Sequence, residues 1–142
     1  MIGLTSQTPV QDSPRKAKYA KVLLIDDNTL DNFVNKKLVE MNNFAEKTEV
    51  YESAQSALEY LKNEKTENLP DIIFLDIMMP VMDGFQFLHE LENNDMLPKE
   101  KMKIFILTSS EKSSDLEKSK DFNIDGYISK PITKKKLESI LT

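Results

Sequence analysis

Short apolar runs and longer amphipathic segments alternate along the chain from residue 22 to residue 142. Five of the apolar runs have the length of a strand and are too short for a buried helix. They cover residues 22–25, 48–51, 72–76, 104–107 and 126–129, the second being the weakest. Most are continuously apolar rather than alternating, which is typical of strands that are buried on both faces of a sheet. The pattern therefore predicts five buried strands.

The segment after the first strand has apolar residues at helical spacing. Five of them fall at i, i+3, i+4, i+8 and i+11, namely Leu30, Phe33, Val34, Leu38 and Met41. This spacing predicts an amphipathic helix that begins near residue 30. We expect Phe33 to lie in the core, and the same holds for Phe74 and Phe105 in two of the strands.

Two further helices are predicted around the third strand. The second helix follows Ser53, a residue type that caps helices, and has an apolar stripe. The stripe consists of Ala54, Ala57, Leu58 and Leu61. The third helix begins at Gly84. Phe85 and Phe87 lie two residues apart on it, so we expect one of them to be partly exposed.

The last two helices differ in polarity. The fourth covers residues 111–121 and is very polar, with Leu116 as its large apolar residue. The fifth follows Thr133, a capping residue type, and directs three apolar residues inward, namely Leu137, Ile140 and Leu141. Five repeats of strand and helix predict an α/β fold with a five-stranded parallel sheet and helices on both faces.

Polar residues stand where four of the predicted strands end. They are Asp26 and Asp27, Asp76, Thr108 with Ser109 and Ser110, and Lys130 with Pro131. Ligands of an open parallel sheet bind beyond the carboxyl ends of its strands. A single charged residue at such a place is common in a solvated loop. Three carboxylates, a hydroxyl and an ammonium at one edge are a sharper indication of a site.

The three carboxylates repel one another. At about 5 Å and an effective dielectric near 20, two such charges repel by roughly 3 kcal/mol. Either one carboxyl takes up a proton or a cation binds. Mg²⁺, a hard ion that takes oxygen ligands, fits best where phosphate is handled. Asp76 is then either a metal ligand or a nucleophile that forms an aspartyl phosphate.

Composition excludes several classes of protein. The net charge of −5 over 142 residues argues against a nucleic-acid partner, which selects for a basic face. The chain has no cysteine, so disulfides and thiolate zinc sites are excluded and a reducing cytoplasm is permitted. No apolar run is long enough to insert in a membrane, and the N-terminus does not read as a secretory signal. We expect residues 1–19 to be a flexible tail and residues 20–142 to form one domain.

With these residues in place, the chain resembles the receiver domain of bacterial two-component response regulators, of the CheY-like kind. The matching motifs are Asp26-Asp27 after the first strand, Asp76 followed by Pro80 and Gly84, Thr108 followed by a small residue, and Tyr127 before Lys130-Pro131. The resemblance covers about residues 20–142. It implies a flavodoxin-like sheet with strand order 2-1-3-4-5.

The resemblance also implies a role for each site residue. Asp76 accepts a phosphoryl group from a phosphohistidine. Mg²⁺ is bound by Asp27 and Asp76, by Asp26 mostly through water, and by the backbone carbonyl of Met78. Lys130 pairs with the phosphoryl oxygens. Thr108 then turns its hydroxyl to the phosphoryl group, Tyr127 moves inward, and the surface of the fourth helix and fifth strand changes.

Two positions depart from the usual pattern. Met78 and Ser110 stand where many members of the family have more polar or longer residues. These positions influence attack of water on the phosphoaspartate. Because Met78 cannot orient a water molecule by hydrogen bonding, we expect slow loss of the phosphoryl group.

The leading hypothesis is a single-domain response regulator in the cytoplasm, a signalling switch rather than an enzyme. Its partners would be a sensor histidine kinase or a histidine phosphotransfer protein and a downstream protein, or it would pass the phosphoryl group along a relay. The resemblance also allows a homodimer through the fourth helix, fifth strand and fifth helix. One alternative is a Mg²⁺-dependent hydrolase of the haloacid-dehalogenase type, which needs a general acid where Met78 stands. Another is a receiver that binds partners without phosphorylation.

Overall fold

The computed structural model describes residues 17–109 and 113–141. Within them, five parallel strands form one sheet in the order β2-β1-β3-β4-β5. The strands are β1 (Tyr19–Ile25), β2 (Ala45–Tyr51), β3 (Ile72–Asp76), β4 (Lys103–Thr108) and β5 (Gly126–Ser129). The predicted fold class and strand order are confirmed. The order reverses at β1 and β3, whose carboxyl ends carry the acidic residues.

Five helices connect or follow the strands. They are α1 (Thr29–Met41), α2 (Ala54–Asn63), α3 (Gly84–Glu92), α4 (Ser113–Ser119) and α5 (Lys134–Ser139). Two 3₁₀ turns, Thr66–Asn68 and Lys99–Lys101, were not predicted. Within residues 17–109 and 113–141, no helix has the length and apolarity that a bilayer crossing demands. Each of the five predicted strands and five predicted helices is present among the described residues, with ends that differ by a few residues.

The strands bury side chains on both faces, as the continuous apolar runs predict. Leu23, Ile25, Ile73 and Leu75 lie in a core cluster with apolar residues of α2 and α3. Alternate residues of the same strands, with Phe74 and Phe105, lie in a second cluster that includes Val39 of α1 and Leu137 of α5. The expectation that Phe74 and Phe105 are core residues is confirmed.

Helix α1 packs with the opposite face from the one predicted. Leu30, Phe33 and Met41 are 70%, 61% and 77% exposed, so the expectation that Phe33 is a core residue is wrong. The buried residues are Asn32, Asn35 and Val39. The two amides are satisfied there, because Asn32 Nδ2 donates to the Asp26 carbonyl at 2.6 Å and Asn35 Oδ1 accepts from the Ile132 amide at 2.9 Å.

Helix α3 begins against the end of β3. A Cβ on Gly84 would lie 2.7 Å from the Asp76 carbonyl oxygen, so only glycine fits this approach without a backbone shift. Asp83 caps the helix, and Gln86 completes a capping box. Phe85 and Phe87 are both buried, so the expectation that one is partly exposed is wrong. Phe85 is covered by Phe122, whose ring stacks on it at 5.9 Å.

The two ends of the chain differ in detail from the prediction. Residues 1–16 of the expected tail lie outside the described residues, as do Ser110 and residues 111–112 of the expected fourth helix. Tyr19, expected in the tail, belongs to β1 and packs on Phe44 with ring centroids 5.2 Å apart. Leu137 of α5 is buried, but Leu141 lies beyond the end of α5 and is exposed rather than inward.

Candidate functional site

The carboxyl edge of the sheet brings together groups from four strands. Asp26 and Asp27 follow β1, Asp76 ends β3, Thr108 ends β4 and Lys130 follows β5. The backbone amide of Lys130 donates to the Thr108 carbonyl at 2.9 Å, which continues the pairing of β4 and β5 to the edge. Residues more than 100 positions apart in the chain thus share one site because parallel strands end on the same side.

Asp26 is completely buried, and each oxygen of its carboxylate accepts a hydrogen bond. Oδ1 accepts from the Asn28 amide at 2.9 Å, and Oδ2 accepts from Lys130 Nζ at 2.9 Å. Its backbone is fixed as well, since the amide donates to Tyr51 and the carbonyl accepts from Asn32. A buried carboxylate needs such partners, because an unpaired one carries a large desolvation penalty. Asp26 therefore has little freedom to move.

Asp76 lies almost buried at the end of the central strand. Its Oδ1 accepts from the Met78 amide at 3.3 Å, and its Oδ2 lies 3.8 Å from Lys130 Nζ. Burial and the negative charge of Asp26 raise the pKa of Asp76 to about 7, against the opposing effect of Lys130. A nearby positive charge would therefore stabilise the ionised form of Asp76.

Lys130 is the cation of the site and is 13% exposed. Its Nζ lies 2.9 Å from Asp26 Oδ2, 2.8 Å from Asp31 Oδ2 and 3.8 Å from Asp76 Oδ2. Burial lowers the pKa of its ammonium, but the hydrogen bonds to Asp26 and Asp31 and the charge of Asp76 outweigh burial and raise the pKa above its usual value. The side chain therefore stays a cation at physiological pH.

A metal ion fits among the acidic residues. One carboxylate oxygen of each of Asp26, Asp27 and Asp76 lies within 4.8 Å of the other two. Hard divalent cations such as Mg²⁺ prefer oxygen ligands of this kind. A cation would also relieve the repulsion that raises the pKa of Asp76. The chain thus has an acidic pocket that could hold a metal ion.

A cavity of about 120 Å³ opens beside Asp76. Its lining includes Met78, Thr108, Tyr127 and Lys130. The Tyr127 hydroxyl forms a short hydrogen bond with the hydroxyl of Ser119, which is completely buried in α4. Tyr127 therefore connects β5 to α4 at the wall of the cavity.

The structure brings seven of the eight predicted site residues to this edge. They are Asp26, Asp27, Asp76, Met78, Thr108, Tyr127 and Lys130. Ser110 lies outside the described residues. Four other residues were missed, namely Asp31, Asn32, Asn35 and Ser119. Asn32 and Asn35 share a signal with Asn28, because polar residues at 28, 32 and 35 have helical spacing. Nothing in the sequence singles out Asp31 or Ser119.

Fold and site together define a class of protein. It is the flavodoxin-like α/β class, with an acidic pocket and a lysine at the switch point of a five-stranded parallel sheet. A family model described as the response regulator receiver domain matches residues 22–142. The chain belongs to this family, and the resemblance seen in the sequence is confirmed.

The relatives of this chain include both large histidine kinases and a protein of similar length. Hybrid signal transduction histidine kinase A of Dictyostelium discoideum is 33% identical over 139 residues, which is 94% of this chain and 6% of that protein. Chemotaxis protein CheY of Halobacterium salinarum is 29% identical over 114 residues, covering 80% of this chain and 87% of that protein. The chain spans only 6%, 7% and 11% of three histidine kinases among its relatives.

A solved structure agrees with both the fold and the family. A two-component response regulator from Cytophaga hutchinsonii superposes with a TM-score of 0.78 at 30% identity, covering 89% of this chain and 96% of that one. The chain is thus a member of a family of signalling switches in two-component systems.

Proposed function

We propose that the protein accepts a phosphoryl group on Asp76 and that this modification changes the surface it offers to other proteins. The observation that carries the proposal is the placement of Asp76. Its carboxylate lies 3.8 Å from the Lys130 ammonium and within 4.8 Å of two further carboxylates, beside an open cavity. Phosphoryl transfer depends mainly on such positioning and on stabilisation of charge.

In the proposed step, an Asp76 Oδ attacks the phosphorus of a phosphohistidine on a partner protein. An oxygen–phosphorus bond forms, the phosphorus–nitrogen bond breaks, and its electron pair stays on the imidazole nitrogen. Lys130 stabilises the negative charge of the transferred oxygens. Asp26, Asp27, Asp76 and the Met78 carbonyl would hold Mg²⁺, which supplies further charge neutralisation.

The proposed switch uses Thr108 and Tyr127. Both line the cavity into which a phosphoryl group on Asp76 would extend. A Thr108 hydroxyl drawn to the new oxygens alters the space beside Tyr127. Since Tyr127 is hydrogen-bonded to Ser119, its displacement would change the contact between β5 and α4. The readout surface is therefore α4 and β5.

Exposed apolar side chains support a protein as the phosphoryl donor. Leu30, Phe33, Val34 and Met41 share one side of α1, which we name the α1 apolar face. In the loop after β3, Met78 and Val81 are 68% and 87% exposed, and Met78 lines the cavity beside Asp76. Val81 also has φ 69°, which is costly for a β-branched residue. Exposed apolar surface beside a reactive pocket is typical of an interface.

Two alternatives are less well supported. A hydrolase of the haloacid-dehalogenase type needs an acid two residues after its nucleophile, and Met78 stands there. A receiver that works without phosphorylation would have no use for the Asp76, Asp27 and Lys130 arrangement. The cytoplasmic location, the downstream partner and the homodimer through α4, β5 and α5 stay predictions.

Intact mass spectrometry tests the proposal. Incubation with Mg²⁺ and acetyl phosphate should add one phosphoryl group to the wild type and none to Asp76→Asn. Asp83→Asn is a matched control seven residues further along, since asparagine also caps helices and Asp83 caps α3. An adduct that persists in Asp76→Asn, or a wild type that takes up neither phosphate nor fluoroberyllate, would refute the proposal.

A further inference from the structure

Asp31 is a second carboxylate partner of the site lysine, and the residue motifs of the sequence do not point to it. It lies in the first turn of α1, and its Oδ2 is 2.8 Å from Lys130 Nζ, the shortest of the three Lys130 ion-pair distances. We propose that Asp31 is a positioning residue that holds the Lys130 ammonium while Asp76 is unmodified and releases it to the phosphoryl oxygens. Asp31 would thereby set how readily the phosphorylated form is reached.

Most of the hydrogen-bond donors of Lys130 are already used in the unmodified protein. An ammonium has three N–H donors. Two of them are taken by Asp26 and Asp31, at 2.9 and 2.8 Å. The distance to Asp76 Oδ2 is 3.8 Å, which is too long for a hydrogen bond. Lys130 therefore has one donor left for phosphoryl oxygens on Asp76, and it can offer a second one only by leaving Asp26 or Asp31.

Asp31, rather than Asp26, is the partner that Lys130 can leave. The Asp26 side chain is 0% exposed, and without Lys130 it would be a buried charge with one remaining amide donor. The Asp31 side chain is 37% exposed, so water can replace the ammonium there. When Lys130 moves from Asp31 to the phosphoryl group, the buried Asp26 keeps its ammonium partner and the partly exposed Asp31 is solvated by water.

Removing the Asp31 charge should favour the phosphorylated form in two ways. It frees one ammonium donor, and it removes a negative charge that repels the incoming phosphoryl group. Asn at this position keeps the size of the side chain. The Asp31 backbone amide, which donates to Asn28 Oδ1, is unchanged by the substitution. The start of α1 should therefore survive in Asp31→Asn.

The inference rests on the proposed function and is tested with the phosphoryl mimic fluoroberyllate. Binding to the wild type and to Asp31→Asn is measured by calorimetry at saturating Mg²⁺. We expect Asp31→Asn to bind roughly twofold to fivefold more tightly, the range for one partly exposed charge pair. A role of Asp31 in stability alone would weaken binding. Equal or weaker binding by a folded Asp31→Asn would overturn the inference.

Glu52→Gln is the matched control for loss of one negative charge at the same edge. Glu52 accepts a hydrogen bond from Thr29 at the start of α1, and not from Lys130. We expect fluoroberyllate to bind this variant as it binds the wild type. An equal gain in Glu52→Gln would show that Asp31 acts only through net charge, which contradicts the inference.

A double-mutant cycle tests whether Asp31 acts through Lys130. In a Lys130→Met background, the gain from Asp31→Asn should fall to less than half. The same gain in both backgrounds would overturn the inference and leave the proposed function intact. If the wild type binds no fluoroberyllate and accepts no phosphoryl group, both fall. Urea unfolding of each variant verifies that it is folded. If Asp31→Asn does not fold, Asp31→Ser replaces it in the same measurements.

Discussion

At the carboxyl edge of the sheet, burial and the charge of Lys130 have opposing effects on the pKa of a single side chain, Asp76. Asp76 is nearly buried next to Asp26, and this raises its pKa to about 7. Lys130 compensates only in part, because its closest contacts are with Asp26 and Asp31. The environment of Asp76, the residue proposed to react, thus disfavours its ionised form, a pattern typical of functional sites.

The raised pKa of Asp76 predicts a pH-dependent stability. In an unfolded chain an aspartate has a pKa of about 3.9. Between about pH 4 and pH 7 the Asp76 carboxyl is therefore more protonated in the native protein than in the unfolded one, so its contribution to the free energy of unfolding falls as pH rises. Asn cannot ionise, so the stability of Asp76→Asn relative to wild type should rise by about 1–3 kcal/mol from pH 4.5 to pH 7.5.

Urea unfolding at the two pH values, with EDTA to remove divalent cations, measures this difference. Comparing variant with wild type at each pH cancels the titration of the other carboxylates. A difference that stays constant, or that shrinks as pH rises, would show that the Asp76 carboxyl is not held in an unfavourable environment.

Met78 predicts a long-lived phosphorylated form. Its side chain is 68% exposed at the pocket, where it offers no strong hydrogen-bond acceptor to a water molecule. Met78→Asn supplies an amide that can orient water, so we expect loss of the phosphoryl group to accelerate severalfold. Phosphorylated wild type and variant are compared by intact mass over time after acetyl phosphate is removed. Equal rates would contradict the idea.

At the scale of elements, α1 shows what pattern alone could not predict. The apolar spacing correctly predicted the helix, since Leu30, Phe33 and Val34 do share one side. It predicted the wrong packing, because the choice of face depends on partners elsewhere in the chain. Asn32 and Asn35 are buried against Asp26 and Ile132, and the second of these lies 97 residues away. Local periodicity carries no information on such partners.

The loop between β3 and α3 stores strain at Val81. A non-glycine residue at φ 69° is disfavoured, and a β-branched one most of all, whereas asparagine tolerates this region. Val81 is 87% exposed, so substitution removes little packing. We expect Val81→Asn to stabilise the protein by about 1 kcal/mol.

Denaturant unfolding measures this change, and Met96→Asn is the control. Met96 is 88% exposed in the turn after α3, so its substitution should alter stability by no more than about 0.5 kcal/mol. A Val81→Asn variant that is no more stable than the wild type would show that the backbone at this position is not strained.

At the scale of the whole molecule, the site was predictable because of topology. Once the strands were recognised as parallel, the residues after their carboxyl ends had to meet at one edge. Asp26, Asp27, Asp76, Thr108 and Lys130 could be located in this way. Asp31 and Ser119 could not, because each lies inside a helix and meets the site only through the way that helix packs.

The exposed surface of the molecule predicts that the donor protein binds at residues other than those that accept the phosphoryl group. Phe33 is 61% exposed on the α1 apolar face and does not touch the pocket. We expect Phe33→Asp to reduce phosphoryl transfer from phosphorylated histidine phosphotransfer proteins at least tenfold, which is the size of a moderate interface contact. Its phosphorylation by acetyl phosphate, a small donor, should be unchanged.

Transfer from a panel of such proteins is followed by loss of label from the donor. Met96→Asp, which places the same charge on an exposed apolar position away from the pocket, should transfer like the wild type. If Phe33→Asp also transfers like the wild type, the α1 apolar face is not where the donor binds.

The hydrogen bond from the Ile132 amide to Asn35 Oδ1 has a spectroscopic use. This amide proton is buried and lies two residues after Lys130, yet it faces α1 rather than the pocket. Its exchange with solvent requires α1 and the loop after β5 to separate. The hydrogen exchange rate of the Ile132 amide, followed by NMR, therefore reports whether the loop after β5 stays packed on α1 when Asp76 is modified.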